Sequence, residues 1–266
     1  MKNAGLLLKS FRVPQALFFI VLVYSGFLLS QQIMNFSFVL KIAVIFLSWH
    51  FVCVLNDIYD EEIDRVQNRK TPITLGLDKK FYLRFGVFIA LSSVLLSIYI
   101  GLICFLLNII FIFLGFMYSS PPIRIRKYPL STSFIGLGAV IAFLMGYTPT
   151  EINPLIMKMI FILFVVTTIG TNVKDLKDYE GDKRAGVKTL FTVFGKENGK
   201  KISSLLLFFS LLSPTILLPY PFYTGLFVLL AALSVIIFHK TEDFRLVIII
   251  VLFILILSAF GVLNSF

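Results

Sequence analysis

The 266-residue chain is 58% hydrophobic and 15% aromatic, with mean hydropathy +0.96 and a formal net charge of +10. A soluble domain of this composition would expose large apolar patches and aggregate, so a soluble globular fold is excluded. The basic excess reads as membrane topology plus attraction to anionic lipid head groups, with no nucleic-acid partner expected.

Met1 to Arg12 is short and basic, and the apolar run after it has no small-residue cleavage site, so it reads as a retained first helix. A span needs about 20 apolar residues, with a range of roughly 17–25. Spans are predicted near Gln15–Ser30, Ser37–Leu55, Tyr82–Ile98, Leu102–Tyr118, Thr132–Tyr147, Leu155–Thr171, Ile202–Leu218, Phe222–Phe238 and Leu246–Leu263. The third and fourth are divided only at Tyr99-Ile100-Gly101, whereas Pro121-Pro122, Pro149, Pro154, Pro219 and Pro221 punctuate other junctions.

With a cytoplasmic N-terminus and alternating sides, 22 of the 24 basic residues fall inside, leaving Lys41 and Lys158. Thirteen of the 14 acids fall on the same side, Glu151 excepted. Positive residues mark the cytoplasmic face, so the charges support nine spans. The expected architecture is an all-α polytopic membrane protein, one domain over 1–266. No repeated half is visible beyond the two motifs described next. Cys53 and Cys104 sit in apolar runs and read as buried hydrophobes. His50 and His239 receive no catalytic role.

Two acidic clusters interrupt this apolar chain. The first runs Asn56-Asp57-Ile58-Tyr59-Asp60-Glu61-Glu62-Ile63-Asp64. The second runs Asn172-Val173-Lys174-Asp175-Leu176-Lys177-Asp178-Tyr179-Glu180-Gly181-Asp182. Carboxylates beside a bilayer are expensive and need a reason. Taken as the continuing end of span two, Asn56, Asp57, Asp60 and Asp64 lie within about a 100° arc at 100° per residue. Asn172, Asp175, Asp178 and Asp182 lie within roughly 120° by the same geometry. Hard cations such as Mg²⁺ take carboxylate and phosphate oxygens. Two facing stripes would hold such ions against a diphosphate and relieve the repulsion among six Asp side chains.

Asn56-Asp57-x-x-Asp60-x-x-x-Asp64 resembles the first signature of the UbiA superfamily of intramembrane prenyltransferases. Asp175-x-x-Asp178-x-x-Gly181-Asp182, with Lys174 before it and Gly186 and Thr189 after it, resembles the second. Tyr118-Ser119-Ser120-Pro121-Pro122-Ile123-Arg124 is similar to a loop of several branches, and Arg12-Val13-Pro14 to the family's opening. The resemblance implies nine helices around a central cavity. It also implies Mg²⁺ and the diphosphate of a prenyl donor on Asn56, Asp60, Asp64, Asp175, Asp178 and Asp182. Asp57 is a further motif member, counted with the metal-binding residues, with an indirect role as the alternative. One departure stands out: Thr71 occupies a position where many members carry Arg, and Arg69 or Lys70 is the expected substitute.

The resemblance implies Mg²⁺-dependent transfer of a prenyl group from an isoprenyl diphosphate to a hydrophobic or amphipathic acceptor, with Asp60, Asp64, Asp178 and Asp182 as catalytic residues. Candidate substrate contacts are Asn56, Arg69, Lys70, Tyr118, Arg124, Asn172, Lys174 and Lys183. Tyr59, Tyr118 and Tyr179 are candidates to stabilise an allylic cation, while Tyr147 reads as an interfacial anchor. The acceptor reading leans to a quinone, tocopherol or chlorophyll-type aromatic, with geranylgeranylglyceryl phosphate as the alternative. A transporter is the competing class, but transport sites lie near the bilayer midplane and these acids sit at one face. The composition suggests a prokaryotic cytoplasmic membrane, with the site facing the cytoplasm.

Overall fold

Capping residues and positive-φ positions punctuate this apolar chain into helices. The structure, a computed structural model, describes residues 5–7, 11–30, 32–148, 153–241 and 244–263. Lys2, Lys9, Pro149 and Glu151, used in the charge and junction readings, lie outside the described residues. Among those described, every regular element is helical. The chain divides into two compact units: residues 1–125 with 141–148, and residues 126–140 with 149–266.

The first unit holds α1 (Val13–Leu29), α2 (Phe36–Tyr59), α3 (Glu61–Val66), α4 (Lys79–Ile100) and α5 (Leu102–Ser119). It also holds the last turns of α6 (Ser131–Tyr147). Pro14 enters the first turn of α1, where its missing N–H costs nothing. Asn35 caps α2 by accepting from Phe38 N, and Asp78 caps α4 from Phe81 N at 2.7 Å. The split between the third and fourth spans falls at Gly101, whose φ of 140° suits glycine.

Small residues set the packing. Gly86 brings α4 against Val54, and Gly115 brings α5 over Val52, so α2 is gripped from both helices. At Gly26 and Gly146 the backbones of α1 and α6 touch, and a Cβ at either would run into main-chain carbonyl oxygen. One buried polar network ties three helices: Ser48 donates to Asn108 Oδ1 at 2.6 Å, and Asn108 Nδ2 donates to Ser93 and Ser97 at 3.3 Å. In an apolar medium such groups must satisfy one another.

The second unit holds α7 (Pro154–Asn172), α8 (Asp175–Arg184), α9 (Leu190–Phe194), α10 (Lys196–Leu212), α11 (Pro221–Thr241) and α12 (Phe244–Leu263), with the first turns of α6. Its core is apolar, built on Val166, Phe191, Leu207, Leu211, Phe227, Phe238, Val251 and Ile254. Asn153 caps α7 by accepting from Ile156 N at 2.9 Å. Span seven departs from the expected Ile202–Leu218: α10 begins at Lys196 and ends at Leu212. Pro214, which cannot donate an N–H, lies in the tighter turn Ser213–Ile216 that follows.

Among the described residues α2, α4, α5, α7 and α11 are long and apolar enough to cross a membrane. α1, α6 and residues 245–258 of α12 are shorter apolar helices. Leu91, Leu95 and Ile98 of α4 and Leu229, Leu233 and Ile236 of α11 form exposed apolar stripes suited to lipid. The molecule is an integral membrane protein. Both cysteines are free and buried, in keeping with their apolar surroundings.

Candidate functional site

The first acidic cluster is not one continuous helix. α2 ends at Tyr59, and Asp60, at φ −98° and ψ 8°, begins the six-residue α3. The break is shallow, because Asp60 N still bonds Asn56 O at 2.9 Å and Asp64 N bonds Asp60 O at 2.8 Å. Asp57, Asp60 and Asp64 are all buried.

Each of these carboxylates meets an arginine. Arg12 donates to Asp57, which also accepts from Tyr82 OH at 3.0 Å. Arg124 Nη2 lies 2.9 Å from Asp60 Oδ1 and donates to Tyr59 O at 2.6 Å. Asn56 Nδ2 donates to the other oxygen of Asp60. Arg69 Nη1 stands 3.5 Å from Asp64 Oδ1. Arg124 reaches Asp60 from a left-handed position, φ 44°, after the Pro121-Pro122 cis bond. Asp64 Oδ2 is buried and accepts no hydrogen bond among the described residues. Burial pushes the Asp64 carboxyl up to about 6, against the opposing pull of Arg69.

The second cluster is also divided. α7 ends at Asn172, and Val173 and Lys174 form a turn before α8. Asn172 is committed to structure: its Oδ1 accepts from Thr132 Oγ1 at 3.2 Å and its Nδ2 donates to Thr168 O at 3.1 Å. Asp175 and Asp182 are buried and Asp178 half-buried. Burial lifts Asp175 to about 7; Asp182 and Asp178 add to the rise, and Lys174 and Arg126 oppose it.

The remaining sequence candidates are placed less tightly. Arg69, Arg124 and Lys174 are half-buried beside carboxylates, and Tyr118 is half-buried in the last turn of α5. Lys70 is exposed. Lys183 is exposed, with Nζ 5.6 Å from the centre of the Tyr179 ring. Among the described residues no three His, Cys, Asp or Glu side chains close into a metal cage by themselves. Mg²⁺ is commonly bound by one or two carboxylates with water and substrate phosphate, so an open carboxylate site suits it. The buried, unbonded Asp64 oxygen and the mutual repulsion at Asp175 are what a divalent cation relieves.

Several residues carry roles that sequence reasoning missed. Arg12, Tyr82 and Arg126 hold or face the acidic clusters. The internal repeat was also missed. Asp57, Asp60, Asp64, Lys70, Thr71 and Thr74 return as Asp175, Asp178, Asp182, Lys188, Thr189 and Thr192, each 118 residues later. α1 and α6 start at Val13 and Ser131, and α2 and α7 at Phe36 and Pro154, with the same spacing. The left-handed residue after each acidic helix repeats too, Asn68 at φ 52° and Gly186 at φ 66°. The constant spacing of these identical polar residues was the available signal.

The model of the UbiA prenyltransferase family matches residues 16–246. The chain belongs to this family. A digeranylgeranylglyceryl phosphate synthase of Pyrococcus horikoshii is 29% identical over 185 residues, 65% of this chain and 64% of that protein. A homogentisate phytyltransferase of Synechocystis is 29% identical over 163 residues, 56% of this chain and 52% of that protein. The matched segments thus span between about half and two thirds of these curated relatives. Among solved structures, a UbiA homolog from Archaeoglobus fulgidus bound to GPP and Mg²⁺ matches with a TM-score of 0.74 at 19% identity. The match covers 97% of this chain and 99% of that one, so the UbiA fold extends over nearly the whole chain.

Proposed function

We propose that this UbiA-family protein, acting as one domain, transfers a prenyl group from an isoprenyl diphosphate to a hydrophobic or amphipathic acceptor. The carbon–oxygen bond of the donor breaks, pyrophosphate leaves with the electron pair, and the acceptor forms the new bond to the prenyl carbon and loses a proton. The observation that carries this reading is the recurrence of buried aspartates, Asp57, Asp60 and Asp64 with Asp175 and Asp182, at constant spacing in a membrane chain of this family.

Asn56, Asp60 and Asp64 in one unit and Asp175, Asp178 and Asp182 in the other would hold Mg²⁺, which when bound would supply positive charge to the leaving pyrophosphate. Asp57 acts indirectly, holding Arg12 and Tyr82. Arg69 and Arg124 shield their aspartates and stand ready to turn toward phosphate oxygens, with Lys70, Lys174 and Lys183 as further phosphate partners. Tyr118 borders the substrate, whereas Asn172 braces α7 against α6. The apolar helices keep water from the developing carbocation.

The acceptor favoured by the sequence is aromatic, and the Synechocystis relative agrees with it. A second reading, geranylgeranylglyceryl phosphate, is favoured by the Pyrococcus relative and by a second digeranylgeranylglyceryl phosphate synthase, from Methanocaldococcus jannaschii, 29% identical over 203 residues. The site is proposed to open on the cytoplasmic face of a nine-span protein. In the test, Asp60→Ala and Asp178→Ala are assayed with both acceptor classes. Turnover falls at least about a hundredfold in each while the proteins stay folded, as expected when an electrostatic element of the transition state is removed. Wild-type turnover in both would sink the assignment.

A further inference from the structure

Asp64 lies on a six-residue helix and Asp182 on a ten-residue one, both too short to be stable on their own. Something beyond the helix must fix where these carboxylates point. In each unit the main-chain carbonyl of the last aspartate accepts from the residue five positions on: Arg69 N to Asp64 O at 2.8 Å, and Val187 N to Asp182 O at 2.9 Å. The carbonyl of that same residue is then gripped by a threonine hydroxyl, Thr74 Oγ1 to Arg69 O at 2.7 Å and Thr192 Oγ1 to Val187 O at 2.8 Å.

The gripping threonines are themselves fixed. Thr71 N donates to Thr74 Oγ1 at 2.9 Å, and Thr189 N to Thr192 Oγ1 at 2.7 Å. Thr74 N donates back to Thr71 Oγ1 at 3.3 Å, and Thr192 N to Thr189 Oγ1 at 3.2 Å. Between the paired threonines, Ile73 and Phe191 are buried and anchor each turn in its own unit's core. The arrangement repeats bond for bond, although Arg69 and Val187 share no side-chain chemistry, so the main-chain carbonyl is the shared target.

We propose that Thr74 and Thr192 are paired positioning residues. Each hydroxyl ties the loop after an acidic helix to the buried core and thereby holds Asp64 or Asp182 in a geometry that binds a divalent cation. This rests on the metal reading of the two clusters. Groups bonded directly to metal ligands typically alter affinity by about 10–100-fold when removed, and these threonines, one main-chain hydrogen bond further out, belong at the lower end of that range. Valine keeps the shape of threonine and deletes the hydroxyl, whereas serine keeps the hydroxyl.

The test compares full-length wild type, Thr74→Val, Thr192→Val, Thr74→Ser and Thr192→Ser in lipid nanodiscs. Mn²⁺ binding is followed by electron paramagnetic resonance without substrate, unfolding in EDTA gives metal-free stability, and turnover is measured against Mg²⁺ concentration. Each valine variant is expected to need about tenfold more Mn²⁺, with a matching rise in the Mg²⁺ needed for half-maximal turnover. Metal-free unfolding moves much less, and both serine variants recover. Valine variants with wild-type Mn²⁺ binding would overturn the proposal. So would serine variants as impaired as valine with parallel loss of metal-free stability, which marks a purely structural role. A wild type that binds no Mn²⁺ even when pyrophosphate is added overturns the metal reading itself, and this inference with it.

Discussion

Arg12 and Asp57 lie 45 positions apart in sequence yet form the ion pair that closes the N-terminal segment onto α2. Asp57 is buried, while the Arg12 side chain is 34% exposed. Losing the partner of a buried charge costs about 3–5 kcal/mol, and partial exposure of Arg12 reduces this to about 1–3 kcal/mol. Arg12→Leu is therefore expected to lower the unfolding temperature in detergent, and adding Asp57→Asn to recover part of the loss. No recovery in the double variant would remove the pair from the account. Asp64 and Asp175 give a pH signature. Their folded values, about 6 and about 7, lie above an ordinary value of 3.8. Between these limits the folded state binds more protons than the unfolded one, so metal-free stability falls as pH rises across that window. Unfolding in EDTA is expected at lower temperature at pH 8 than at pH 5.5, with Mg²⁺ protecting more at pH 8. The aspartates were legible in the sequence because charge in an apolar chain is conspicuous. Arg12, Tyr82 and Arg126 were not, because a basic or aromatic residue near a membrane boundary also serves as a topological mark.

The helices themselves were largely legible, since long apolar runs with Gly and Pro breaks allow little else. Even the division at Gly101 was found where a single glycine provides it. The misses have local causes. Pro214 follows the end of α10 before its apolar run finishes, and Asp60 interrupts a run of helix-forming residues at a place no breaker marks. Helix crossings were invisible, because a glycine reveals a close approach only once its neighbour is known. Gly146→Ala should cost about 3 kcal/mol, because its Cβ meets the main chain of α1, which cannot yield as a side chain does. Gly225→Ala meets nothing and should be neutral. Equal unfolding temperatures for the two variants would contradict the α1–α6 contact. Asn108→Leu should cost about 1–2 kcal/mol, because Ser48 loses the acceptor for its hydroxyl and Ser93 and Ser97 lose the donation from Asn108.

For the molecule as a whole, the repeat changes how the sequence is weighed. The repeat by itself does not separate an enzyme from a transporter, since transporters are often built from repeats. Family membership and the placement of the acids decide instead. The charge distribution predicts that Lys70→Cys and Lys188→Cys react with impermeant reagent from the cytoplasmic side and Tyr99→Cys from the opposite side. The acceptor was not legible, because the relatives named for glycerol-lipid and aromatic acceptors match at the same 29% identity. The most direct measurement is product formation by purified wild-type protein with geranylgeranyl diphosphate and both acceptor classes, with Mg²⁺ and with EDTA, read by mass spectrometry. A prenylated product that forms with Mg²⁺ and disappears with EDTA is the predicted result. Product formation undiminished by EDTA, or folded protein that binds Mg²⁺ yet turns over no donor with any acceptor, would contradict the account.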